Sequence, residues 1–213
     1  MRSIDGKTMK HIFLIGFNKC GTTSFHDFFK ANGLTSVHWR ANTLAMRIHD
    51  NLQNGVLPLL SGLERWTAYS DMVCIPGSPW GQSNSDAYPL IEACRYFKEL
   101  DHSYPDSLFI LNTRNREAWI ESRLRHDQGQ FAAAYLRALL PNGIHTKGSM
   151  VAYWQQLWQE HYNDVTDYFQ AEKQARFLRF DLDQIDQTSL LRFLEPHFRI
   201  TNRHFPHSHR TAS

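Results

Sequence analysis

Lysine, threonine and serine crowd one short turn of this 213-residue chain, Gly16-Phe-Asn-Lys19-Cys20-Gly21-Thr22-Thr23-Ser24. The turn sits where an apolar run, 11–16, gives way to a helical pattern. Its backbone N–H groups and the helix N-terminus then point at one spot, which attracts phosphate. Gly21 allows close backbone approach, and Lys19 adds a positive charge. A second run, 107–112, leads into Arg114, with Ser122 eight residues later. An Arg fork at a strand end and a hydroxyl one or two helical turns on can clasp one phosphate together. Of the 23 basic residues 16 are Arg and 7 are Lys, and the planar Arg fork matches phosphate or sulfate oxygens. The chemistry expected is recognition of an anionic ligand.

These groups need a scaffold, and the apolar pattern supplies one. Residues 11–16 read as a buried parallel strand, and Phe25, Phe28 and Phe29 recur at helical spacing over 22–31, with Gly33 as a stop. A second apolar stretch, 34–39, leads into a helix over about 41–54. A third short strand falls at 66–72, before a Pro- and Ser-rich loop at 76–86. Residues 88–100 read as a helix, 107–112 as a strand, and Trp119, Ile120 and Leu124 as the apolar side of the next helix. Residues 125–148, with Arg125, His126, Gln128 to Gln130 and Lys147, are expected to be a flexible segment lining a pocket. A long helix at 149–171, a strand at 176–180 and a helix at 188–194 complete the order. Alternating strands and helices imply an α/β fold, a three-layer α/β/α arrangement around a central parallel sheet. The expected organisation is a tail at 1–10 and one domain at 11–213.

Composition narrows the class. Hydrophobic residues make up 42% and charged residues 21%, which excludes a disordered or fibrous chain. The formal net charge of +2 is too small for a sequence-independent grip on nucleic acid, so no nucleic-acid partner is expected. Cys20, Cys74 and Cys94 lack CxxC spacing, so neither a disulfide framework nor a zinc site is suggested. With no apolar run near 18 residues, a soluble, cytoplasmic protein is expected. His204, His207 and His209 are spaced like metal ligands but have no companion carboxylate or cysteine pattern, and no metal is expected there. Oligomeric state is left open.

The phosphate loop departs from the nucleoside-triphosphate pattern GxxxxGK[ST], because Thr22 follows Gly21 and the lysine lies two residues before it. Lys19-Cys-Gly-Thr-Thr23 instead resembles the phosphosulfate-binding loop of sulfotransferases that use 3′-phosphoadenosine 5′-phosphosulfate. The strand ending at Arg114 and the helix carrying Ser122 resemble that family's 3′-phosphate site. His38, a short strand ending in Asp71, Tyr104-Pro-Asp-Ser107 and Phe205-Pro-His207 resemble a bacterial-type branch of the superfamily, so the resemblance spans roughly residues 11 to 209. The chain departs from that pattern after Asp71, where Met72, Val73 and Cys74 intervene before Pro76. It also lacks the glycine-rich basic C-terminal loop of the eukaryotic cytosolic enzymes.

The resemblance implies a P-loop sulfotransferase that moves a sulfuryl group in line from 3′-phosphoadenosine 5′-phosphosulfate to a hydroxyl or amine acceptor, without a required metal. The product nucleotide is adenosine 3′,5′-bisphosphate, and a carbohydrate is the favoured acceptor. Lys19 would neutralise the leaving phosphate. Cys20, Gly21, Thr22, Thr23 and Ser24 would bind the 5′-phosphate, unless the hydroxyls merely cap the helix. Arg114 and Ser122 would bind the 3′-phosphate, unless Arg114 only pairs with Glu117 or Glu121. Arg203 or His207 would close the nucleotide site. His38 is the first choice as general base, while Asp71 would orient it, bind the acceptor or itself take the proton. Two rival readings stand beside this one. The first is a magnesium-dependent P-loop phosphotransferase using Asp181 as its metal carboxylate, and the second is a nucleotide-binding protein of the same fold without turnover.

Overall fold

The computed structural model describes residues 10–60 and 62–206. The chain runs β1 (Ile12–Leu14), α1 (Thr22–Ala31), β2 (Ser36–His38), α2 (Thr43–Gln53) and β3 (Ala68–Ser70). A short hairpin of β4 (Val73–Cys74) and β5 (Ile91–Glu92) leads to α3 (Phe97–Ser103) and β6 (Leu108–Thr113). Three helices follow, α4 (Arg116–Arg125), α5 (Gln130–Leu139) and α6 (Lys147–Tyr168), before β7 (Phe177–Asp181) and α7 (Gln187–Leu194).

Five strands pair in the order β2-β3-β1-β6-β7, every pair parallel. Side-chain alternation divides the sheet into two faces. Ile12 and Leu14 of β1 pack with Phe25, Phe28 and Phe29 of α1 and with Leu190, Leu191 and Leu194 of α7. Phe13 and Ile15 face the opposite way, into a larger core with Ile48, Phe97, Trp119, Tyr135 and Trp154. The layers are therefore α/β/α around a parallel sheet, as the alternating pattern implied. Phe205 is buried against Phe25, Phe28 and Phe180. Burying one phenyl ring stabilises by roughly 1.5–3 kcal/mol, which ties the extended segment 201–206 to α1.

The strand order also fixes where a ligand can bind. From β1 the chain moves to β2 and β3 on one side, then crosses to β6 and β7 on the other. At such a switch point the loops leaving adjacent strands diverge and open a crevice at the carboxyl ends. The loop after β1 lies at this point.

Two expectations need correcting. Residues 88–100 are not one helix: Ile91–Glu92 pairs antiparallel with Val73–Cys74, a 3-10 turn spans Ala93–Tyr96, and helix begins only at Phe97. Pro89 disfavours helical backbone just before it, and Ile91 meets buried apolar partners in the strand conformation. The segment 125–148 is not a flexible loop either. It contains α5, whose Phe131, Ala132, Tyr135 and Leu139 fall on one buried face, so packing holds it in place.

Candidate active site

The loop after β1 is held from beneath by side chains distant in sequence. Asn112, fully buried in β6, accepts a hydrogen bond from the Gly16 N–H (2.9 Å) and donates to the Cys20 carbonyl (2.8 Å). A Cβ at Gly16 would lie 1.9 Å from the Asn112 carbonyl oxygen, so only glycine fits this close approach. The Trp119 indole of α4 donates to the Asn18 carbonyl at 3.0 Å. On the core side, His161 of α6 donates from Nε2 to the Ile15 carbonyl at 2.6 Å. Burial drives the His161 pKa down to about 4, so the ring stays neutral at pH 7.

Within the loop, Lys19 (φ 64°) and Gly21 (φ 72°) both take the left-handed conformation. Together these reversals turn the chain into α1, whose N-cap, Gly21, has no side chain to cap the first-turn amides. The amides at the start of α1 thus face the crevice with the positive end of the helix dipole. Thr22 and Ser24 are buried and Thr23 is half-buried. The Cys20 thiol points the other way, into the core 3.9 Å from the Tyr162 hydroxyl, and burial pushes its pKa up to about 12. Cys20 therefore offers a ligand its backbone only.

Arg114 follows β6 directly, and its Nη1 reaches the Lys19 carbonyl at 3.4 Å. Its Nε is buried and has no hydrogen-bond partner among the described residues. A donor left unmade in this way costs stability unless a ligand meets it. Arg114 does not take up Glu117 or Glu121, which pair with Arg116 and Arg125. Ser122, half-buried, lies farther along α4. Arg203 pairs with Glu195 in an exposed ion pair and has no contact with the other candidate residues among those described. His207 and His209 lie outside the described residues.

His38 and Asp71 come together at the ends of β2 and β3. His38 Nδ1 lies 3.1 Å from the Ser70 hydroxyl, and its Nε2 lies 3.4 Å from the Asp71 carboxylate. Asp71 holds a left-handed conformation (φ 52°), which an L-residue adopts at a cost of order 1 kcal/mol. Its other oxygen, Oδ1, is buried without a hydrogen bond among the described residues. Trp39, Arg40, Ala41 and Asn42 follow His38 in one unbroken left-handed run. Asn42 secures that run: its side chain accepts from the Trp39 indole (3.1 Å) and donates to the Ile75 carbonyl (3.1 Å).

One residue of the 125–148 segment enters the site through a contact that no sequence motif marks. Lys19 Nζ lies 3.2 Å from Nδ1 of His126, at the start of the turn between α4 and α5. The Lys19 pKa is lowered, by burial first and then by Arg114 and Arg123, against an opposing pull from Asp71. Asp71 also acts on His126, so carboxylate, lysine and imidazole belong to one electrostatic cluster. Around it stand the loop after β1, Arg114 and His38. A pocket so built can hold a polyanion, neutralise charge on a leaving oxygen and accept a proton.

The family model for the sulfotransferase domain matches residues 82–213. That is more than half of the chain, and the protein belongs to this family. The matched stretch contains Arg114, Ser122, His126 and Arg203, whereas the Lys19 loop, His38 and Asp71 precede it. No curated protein matches the chain. Among solved structures, 18 chains match. One is an unliganded sugar kinase from Janibacter sp. HTCC2649, 14% identical, with 88% of this chain and 94% of that one covered and a TM-score of 0.40. At that distance the likeness carries no chemistry across. No helix among the described residues is long and apolar enough to cross a membrane.

Proposed function

We propose that the protein transfers a sulfuryl group from 3′-phosphoadenosine 5′-phosphosulfate to a hydroxyl or amine acceptor. The observation that carries this reading is the Lys19 loop, stapled by Asn112 at the switch point with Arg114 against its carbonyl. A sulfotransferase must hold a bisphosphorylated nucleotide and help its phosphate leave without hydrolysing it. The first-turn amides and hydroxyls of Thr22, Thr23 and Ser24 suit the 5′-phosphate. Arg114, with a buried donor free, suits the 3′-phosphate together with Ser122.

In-line transfer breaks the bond between sulfur and the bridging phosphate oxygen as the acceptor oxygen bonds to sulfur. Lys19 neutralises the negative charge that gathers on the leaving oxygen. The acceptor proton passes to the His38–Asp71 pair, in which Asp71 stabilises the imidazolium that forms. A carbohydrate hydroxyl is the favoured acceptor, since half-buried Trp80 beside His126 gives a sugar ring a flat apolar face. Cys20, Cys74 and Cys94 are all unpaired and buried, which suits the reducing cytoplasm. The phosphotransferase reading is less well supported, because Asp181 uses one oxygen to accept from the Asp183 N–H at 2.9 Å.

Calorimetric titration with adenosine 3′,5′-bisphosphate and, separately, with ATP with and without magnesium tests the reading. Tight binding of the bisphosphate without metal is expected, weakened by about 1.5–3 kcal/mol in Arg114→Ala, the worth of one charge-assisted hydrogen bond. A preference for ATP seen only with magnesium would overturn it in favour of phosphoryl transfer.

A further inference from the structure

We propose that His126 is a positioning residue for Lys19: its neutral ring accepts a hydrogen bond from the lysine ammonium and holds that charge over the phosphate loop. An ammonium has donors only, so in the 3.2 Å contact between Lys19 Nζ and His126 Nδ1 the ring nitrogen must accept. This fixes the tautomer, with the proton on Nε2. Lysine has three N–H donors, so one can stay on His126 while the others meet a ligand oxygen.

The ring is exposed at one edge but held by its neighbours. Asp127 and Gln128, the next two residues, are both left-handed (φ 49° and 55°), and Gly129 continues the reversal. Two successive non-glycine residues in this region store strain that the surroundings must over-determine. Those surroundings are visible. Trp80 stacks on His126 with centroids 6.1 Å apart, its indole donates to the Asp127 carboxylate at 2.7 Å, and Phe131 packs on the ring from α5. The backbone thus bends against its preference to present one imidazole to one lysine.

The charges facing His126 are Lys19 from the phosphate loop, Asp71 from the end of β3 and Asp127 beside it. Burial and Lys19 lower its pKa, while the two carboxylates raise it, and the net direction is down. Near neutral pH the ring can accept. In acid it becomes imidazolium, loses its acceptor lone pair and repels Lys19, so anion capture by the lysine should weaken as pH falls through the titration of the ring.

This inference relies on the sulfotransferase reading only for its ligand, and two experiments keep them apart. The first follows His126 ring resonances by NMR during pH titration of the apo protein. The His126 pKa is expected below the ordinary value in wild type and higher in Lys19→Ala, which removes the facing charge; equal values in the two proteins overturn the inference. The second titrates adenosine 3′,5′-bisphosphate into wild type, His126→Ala and His126→Gln from pH 5 to 8. His126→Ala should bind about tenfold more weakly at pH 7.5, the scale of one hydrogen bond to a charged group. His126→Gln, whose amide oxygen still accepts, should stay within about threefold and lose the acid weakening. Equal losses in both variants, or none in either, would overturn it. If wild type fails to bind the bisphosphate, the function reading falls and the NMR comparison still decides the role of His126.

Discussion

The two sides of the crevice are built on opposite principles. The loop after β1 is fastened from below, by buried groups of β6, α4 and α6 that each make a hydrogen bond to its backbone. The facing wall, made of 38–42, Asp71 and 126–129, stands on left-handed non-glycine residues and half-exposed side chains. An invariant anion can be met by fixed amides, because its shape is known in advance. A wall that meets varied acceptors, or must adjust a proton, gains from torsions held only by their neighbours. Stability should therefore reside in the first side and tuning in the second.

The largest expected effect comes from breaking the first side. Asn112→Ala leaves the Gly16 N–H and the Cys20 carbonyl without partners, at about 1–3 kcal/mol each, so urea unfolding should show a loss of about 2–5 kcal/mol. A loss below 1 kcal/mol would mean that the loop is not held from beneath. Acid should act on the same side through His161. Its folded pKa of about 4 lies below the ordinary imidazole value of about 6.5, so the unfolded chain takes up a proton first. Its contribution is present in full above about pH 6.5 and is lost as pH falls toward 4, on the order of 3 kcal/mol. His161→Gln should flatten that slope in thermal melts at a series of pH values.

On the opposite wall, Asp71→Gly relieves the positive φ and should change stability by about 1 kcal/mol or less, in the favourable direction, while transfer falls sharply. If stability dropped by more than 1 kcal/mol, the two walls would not differ as described. The smallest effect belongs to Arg203→Ala. An exposed ion pair of this kind is worth about 0–1 kcal/mol, so unfolding should be nearly unchanged. A tenfold loss of bisphosphate affinity in that variant would bring the C-terminal segment into the anion site.

How much of this was legible in the sequence follows from the same division. The strand, glycine turn and helix around Lys19 are local, and local patterns carried the parallel sheet, α1 and the placement of Arg114. His38 and Asp71 were readable as strand-end residues, and β2 and β3 do bring them into contact. Asn112 was hidden because it ends an apolar run and acts on residues more than ninety positions earlier. His126 stands in the 125–148 segment expected to line a pocket, but its contact with Lys19 leaves no local signal. Its turn uses left-handed Asp127 and Gln128 before any glycine appears, so turn chemistry gives no cue, and the helical spacing of Phe131 to Leu139 is the local sign against a loop. Pro89 was the cue against a helix at 88–100, but the β4–β5 pairing that replaces it depends on Val73.

The inward turn of Cys20 has a practical corollary. Burial holds the thiol protonated well above neutral pH, so little nucleophilic thiolate is present at pH 8, and the group is walled off from solvent. Alkylating reagents and mild oxidants will find it inert while the fold is closed, although it sits in the middle of the loop after β1. Any labelling of Cys20 would therefore time the opening of that loop, giving the protein a native chemical clock.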